Sequence, residues 1–179
     1  MIVLAFLVLG WVSQEPPPAY DELFAIAAWK CFPRAHRDDV KYEILSDLID
    51  IEERFFDNHP QIPRSLRGML LAAACRESRF NARARGDWRT RKGRRIAMAH
   101  GVVQLWPWWE KKYGINRDDP KASGHAWLTQ IVQQYEKNQR LKRCPANFSE
   151  ERKWVVAWVQ TTRGGRLNRQ NRYRCFQIP

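Results

Sequence analysis

The sequence predicts a single, mainly α-helical domain that carries one small β-hairpin. Three observations predict it. Apolar residues recur at three- and four-residue steps in several stretches between Tyr20 and Val159, the period of a helix with one buried face. The breaks between those stretches hold residues that start or stop helices: Phe32-Pro33, Asn58-His59-Pro60, Gly114, Asp119-Pro120 and Gly164-Gly165. One segment, Asp87 to His100, lacks the helical period and places Gly93 between two short arms.

The bulk numbers agree with one domain. The chain has 179 residues, and 44% of them are hydrophobic, enough for a core of that size. Lys plus Arg exceed Asp plus Glu by 31 − 19 = 12, which favours an anionic partner: nucleic acid, an anionic membrane surface or an acidic wall polymer. Nine tryptophans exceed what a core of this size needs and suggest a surface that stacks on flat ligand faces.

Taken in order, Met1 to Val12 is apolar and uncharged. It is shorter than the roughly 20 residues of a membrane span and resembles a secretory hydrophobic region. Gly10 or Ser13 would be the small residue at cleavage, although a basic start is missing. Residues 1–13 are therefore read as a signal peptide, against the alternative of a buried N-terminal helix. Residues 14–19, with Pro16-Pro17-Pro18, form a stiff linker. The folded domain then covers 20–179, with a core at about 38–165.

Tyr20 to Trp29 reads as a short helix. Asp38 to Asn58 reads as a long one, with Val40, Ile44, Leu48, Ile51 and Phe55 on its apolar face. Pro63 opens a central helix through Leu66, Met69, Leu70, Ala73 and Ala74 to Glu77. The hairpin follows. Leu105 to Tyr113 is a short helix closed by Gly114. Asp119 caps a helix running to about Arg143, and Ser149 caps the last one, through Trp154 and Trp158. Arg166 to Arg174 is a basic tail pinned back by Cys175. No internal repeat or long low-complexity segment is present.

Cys31, Cys75, Cys144 and Cys175 lack C-x-x-C spacing and a nearby histidine cluster, so no metal site is expected. An even count behind a signal region points to two disulfides, for which Cys31–Cys75 and Cys144–Cys175 are preferred among three pairings. A periplasmic or secreted location follows from the same two features. No transmembrane helix and no cofactor are expected.

Glu77 is singled out by its angle. At about 100° per residue it shares a direction with Leu66 and Leu70, one turn above Ala73 and Ala74. A carboxylate there should face a core or a cleft floor. Desolvation and the negative end of the helix dipole would both favour its protonated form, as a general acid needs. Taken by itself, the helix favours a structural pair with Arg76, Arg79 or Arg83 instead.

The wider motif changes that weighting. Glu77-Ser78-Arg79-Phe80-Asn81-Ala82-Arg83-Ala84, then His100-Gly101-Val102-Val103-Gln104-Leu105-Trp106-Pro107, resembles the soluble lytic transglycosylase and goose-type lysozyme superfamily. That pattern is Glu-Ser-x-Phe, an Ala, a loop, then Gly, two apolar residues, Gln and a nearby Pro. The resemblance implies a lysozyme-like domain that acts on peptidoglycan glycan strands, cleaving the β-1,4 bond between N-acetylmuramic acid and N-acetylglucosamine; the chain is expected to be a monomer. It implies Glu77 as the single catalytic acid and base, with Ser78, Phe80, Gly101, Val102, Gln104, Trp106 and Trp158 lining the substrate site. A second carboxylate, had one been needed, would come from Asp87 or Glu110.

Two departures stand out: the basic insertion between Arg85 and His100, and Trp158 where the pattern carries Tyr. The competing readings are a muramidase-type hydrolase, a weakly active wall-binding protein, a nucleic-acid binder and a Cys–His peptidase using Cys75 and His100. Nucleic acid is not the expected partner.

Overall fold

The computed structural model describes residues 19–31 and 39–162. The signal region, most of the linker, the Phe32-Pro33 stop, the basic tail and the expected Cys144–Cys175 pair fall wholly or partly outside them. The described chain is mainly helical: α1 (Tyr20–Cys31), α2 (Asp39–Asn58), a 3-10 turn (Arg64–Leu66), α3 (Met69–Ser78), β1 (Arg85–Arg91), β2 (Arg94–His100), α4 (Pro107–Tyr113), α5 (Pro120–Arg140) and α6 (Glu150–Thr162). No described helix is long and apolar enough to cross a membrane.

The short helix α3 is the centre, packed by α1, α2 and α5. Its Leu70 and Ala74 are fully buried, alongside Leu45 and Leu48 of α2 and Leu128 of α5. Gly124 lets α5 come close: a Cβ there would sit 2.9 Å from Leu48 Cδ2 and 3.3 Å from Leu70 Cδ2. α6 closes the far side of α5, where Tyr135 stacks on Trp154 at 3.8 Å between ring centres. There the Gln134 and Asn138 amides both donate to Gln160 Oε1.

Several boundaries differ from the sequence reading. Pro63 does not open the central helix, because a separate 3-10 turn and then Gly68, at φ 85°, intervene before Met69. Leu66 therefore lies off the stripe of α3. The core face of α2 is Ile44, Leu45, Leu48, Ile49, Glu52, Phe55 and Phe56, while Val40 is exposed in the first turn, outside the bundle. Leu105 pairs with His100 instead of starting α4. The caps at Asp119, Gly114 and Ser149 are as expected: Asp119 accepts from the Lys121 and Ala122 amides, Gly114 takes the left-handed conformation, and Ser149 accepts from the Arg152 amide.

Two ties hold α3 in register. Its N-cap position is Gly68, which has no side chain to satisfy the first amides of the helix. Glu52 of α2 takes that part. It is fully buried, and its two oxygens accept from the Gly68 and Leu70 N–H groups at 2.7 and 2.8 Å. Burial pushes its carboxyl up to about 7, with the two N–H donors and then Arg67 opposing the rise. The Tyr20 phenol is pushed up as well, by burial first and by Glu52 second. The other tie is the Cys31–Cys75 disulfide, as preferred from sequence, with Cα atoms 5.6 Å apart. With Leu23 against Gly68 at one end and Cys31 bonded to Cys75 at the other, α1 runs beside α3 in the same sense.

Both ties make measurable predictions. The bridge closes a span of 44 residues. Replacing both cysteines by Ser should cost roughly 2–4 kcal/mol in urea unfolding, with helical circular dichroism retained. For Glu52 the folded state favours the protonated acid. Its contribution is therefore full below the ordinary carboxylate value of 4.5 and is lost as pH rises through about 7. Between those limits the wild type should lose on the order of 3 kcal/mol relative to Glu52→Gln, measured as the difference between the two pH–stability curves.

Candidate active site

The chain leaves α3 through a turn that its sequence dictates. Ser78 Oγ donates to the Ala74 carbonyl and accepts from the Asn81 N–H. Arg79 and Phe80 are consecutive left-handed residues, at φ 53° and 58°. The Arg79 N–H closes back onto the Ala74 and Cys75 carbonyls. This reversal drives Phe80 into the core, where it is fully buried. Glu77 is left on the last turn, at the surface.

The side chain of Glu77 is 39% exposed, which corrects the expectation of a buried acid. The physical reason is the length of α3. It ends one residue later, and Phe80 is the residue that enters the core beneath the helix end. The Glu77 carboxylate lies 3.9 Å from Arg76 Nε, at the limit of an ion pair, and accepts no hydrogen bond among the described residues.

The second half of the motif is folded against the first. The Gly101 N–H donates to the Ala84 carbonyl, closing the neck of the hairpin. His100 and Leu105 exchange backbone hydrogen bonds at 3.0 and 2.8 Å, which ties residues 101–104 into one tight loop. Gln104, at φ 50°, donates from its amide nitrogen to the Gly101 carbonyl. Its Oε1 occupies the space that a Cβ on Gly86 would need, 2.4 Å away.

Arg117 locks this neck from behind. It is buried, and its guanidinium donates to the Met98 and Leu105 carbonyls at 2.8 and 2.9 Å while pairing with Glu110 at 3.0 Å. Gly101 is what lets it in: at φ 79°, an added Cβ would lie 1.9 Å from the Arg117 carbonyl oxygen. The glycine thus serves a close approach between two backbone segments, where the sequence suggested an approach to ligand.

The carboxylates around the neck are occupied. Asp87 accepts from the Trp106 indole N–H at 3.0 Å, Glu110 holds Arg117, and Asp118 holds Arg85 at 2.7 Å. His100 lies 3.8 Å from Asp118, and its imidazole is held below its usual range by burial and then by Arg117 and Arg85. Each of these acids holds a donor within 3.0 Å, whereas Glu77 accepts no hydrogen bond among the described residues.

The remaining candidates divide. Phe80 and Val102 are fully buried and act through packing. Ser78, Gln104, Trp106 and Trp158 are partly buried. Trp109 belongs to the core, with Trp108 stacked on it and exposed on the other side. Cys75 is spent in the disulfide, so no Cys75–His100 nucleophile exists.

Sequence reasoning missed Glu52 and Arg117. Glu52 had a signal, an acid four positions from both Leu48 and Phe56 on an otherwise apolar stripe. Arg117 had none, because its partners come from β2, the tight loop and α4.

The neck geometry predicts that Gly101→Ala destabilises the fold by at least ~2 kcal/mol in chemical unfolding, from backbone strain plus displacement of the Arg117 segment. Comparisons with family models, with curated proteins and with solved structures return no match for this chain.

Proposed function

We propose that this protein is a peptidoglycan lytic transglycosylase, cutting the β-1,4 bond between N-acetylmuramic acid and N-acetylglucosamine with Glu77 as its single acid and base. The observation that carries the reading is the state of Glu77: a partly exposed carboxylate at the end of α3 that accepts no hydrogen bond among the described residues, with Arg76 Nε 3.9 Å away, while Asp87, Glu110 and Asp118 each hold a donor. The ordered motif Glu77-Ser78-x-Phe80 and Gly101-Val102-Val103-Gln104 supports it, as does a mainly helical domain with one small hairpin, the coarse form of a lysozyme-like fold.

The chemistry follows from one acid. Glu77 gives its proton to the glycosidic oxygen as the bond from C1 breaks. The substrate's own N-acetyl carbonyl stabilises the cation at C1. Glu77, now a carboxylate, takes the proton from the muramyl 6-hydroxyl as that oxygen attacks C1. The acid is regenerated and a 1,6-anhydro product leaves. Because Glu77 is partly exposed in the free protein, the bound strand itself must exclude water from the reacting bond.

A muramidase-type hydrolase with two carboxylates is less favoured. Its second acid would have to be freed from Trp106 or from Arg117. Secretion to the periplasm or beyond belongs to the same reading and is compatible with the Cys31–Cys75 bridge.

Glu77→Gln should lower release of soluble fragments from purified peptidoglycan at least ~100-fold, the lower range for a positioned acid, with the circular dichroism spectrum unchanged. Full activity in that variant would place the acid elsewhere.

A further inference from the structure

The hairpin carries more charge than a turn needs. Between Arg89 and Arg95 five of seven residues are cations: Arg89, Arg91, Lys92, Arg94 and Arg95. No acid occurs from Trp88 to Trp109. The two strands pair with Arg91 directly opposite Arg94, across a turn in which Lys92 and Gly93 both have positive φ. Like charges placed face to face weaken a two-stranded arm, and the arm has little core to offset that. All five side chains belong to exposed residues, and among the described residues none of them meets a carboxylate.

The cations are also arranged around flat apolar surface. Cross-strand pairing puts Trp88 and Thr90 on one face with Ala97 and Arg95, and Arg89 and Arg91 on the other with Ile96 and Arg94. Arg95 lies over the Trp88 ring at 5.1 Å and Arg89 over Trp106 at 4.7 Å. Trp88 is half exposed. The root of the arm is fixed by the Arg85–Asp118 pair and by the Ala84–Gly101 hydrogen bond, and Ala84 follows Glu77 by seven residues along the chain. Guanidinium groups bind carboxylates in paired, directional hydrogen bonds.

We propose that the tip of this hairpin, Arg89 to Arg95, is a docking arm for the free carboxylates of the peptides that hang from wall glycan strands. The proposal rests on the reading of Glu77 as the site where such a strand is cut. The arm supplies affinity for the charged peptides, and Glu77 at the end of α3 supplies cleavage.

The test separates the two. The full chain is sedimented with insoluble peptidoglycan freed of attached polymers, either native or with its carboxylates capped as amides. Capping should weaken binding of the wild type about tenfold. A variant carrying Arg91→Gln, Lys92→Gln, Arg94→Gln and Arg95→Gln should bind native wall about as weakly as wild type binds capped wall. It should lose almost nothing further on capping, since the two changes remove the same contacts. Should that variant not fold, the wild-type comparison of native with capped wall still decides. Binding indifferent to capping overturns the proposal, and so does a folded variant that holds native wall as tightly as wild type. A single-stranded oligonucleotide that displaces wild type from native wall at low concentration, with the four-fold variant insensitive to it, overturns the carboxylate assignment. Soluble fragments are scored separately with Glu77→Gln: retained cleavage in that variant overturns the reading of Glu77 and leaves the comparison of native with capped wall, which scores docking, unaffected.

Discussion

Glu52 occupies the place on which the rest of the molecule depends. The central helix begins at a left-handed residue, Gly68, and Leu23 of α1 packs where a side chain on residue 68 would be. That glycine cannot cap its own helix. The acid that does so comes from the middle of α2, out of contact with water, and its two oxygens meet the two amides that most need a partner. The cost is a buried ionisable group poised near neutrality. The gain is that α3 cannot slide or rotate relative to α2 without breaking both bonds. The disulfide fixes the opposite end, two residues before Glu77.

A second constraint orders the segments that follow the hairpin. The neck of the hairpin, the tight loop after it and the start of α4 share one buried cation, Arg117. A backbone carbonyl left without a donor there would cost as much as the bond is worth, so the segments are held together as a unit. The hairpin beyond the neck has no such support. It is an exposed two-stranded arm, and its conformation comes from its turn and its ladder.

The helical period, the caps and the hairpin were legible in the sequence because each depends on neighbours within a few residues. Asp119, Ser149 and Gly114 carry their own chemistry. The start of α3 was not legible. Pro63 is a good opening residue, and nothing local reveals that Gly68 must turn left-handed against a leucine from α1. The burial of Glu77 was misjudged for a related reason. The stripe argument gives a direction around the helix, while burial depends on where the helix ends and on which residue, here Phe80, fills the space below it. The buried acid that the pattern did contain, Glu52, was hidden by assigning the apolar face of α2 one step away from its true axis.

The central claim is that one carboxylate at the end of α3 breaks a glycan strand and returns to its starting state without water. Mass spectrometry of the fragments released from purified peptidoglycan tests it most directly. The account predicts fragments ending in 1,6-anhydromuramic acid, lighter by one water than hydrolysis products. Fragments with free reducing ends would contradict it by requiring an activated water and a second acid, and a complete absence of soluble fragments would remove the glycosidic reading altogether.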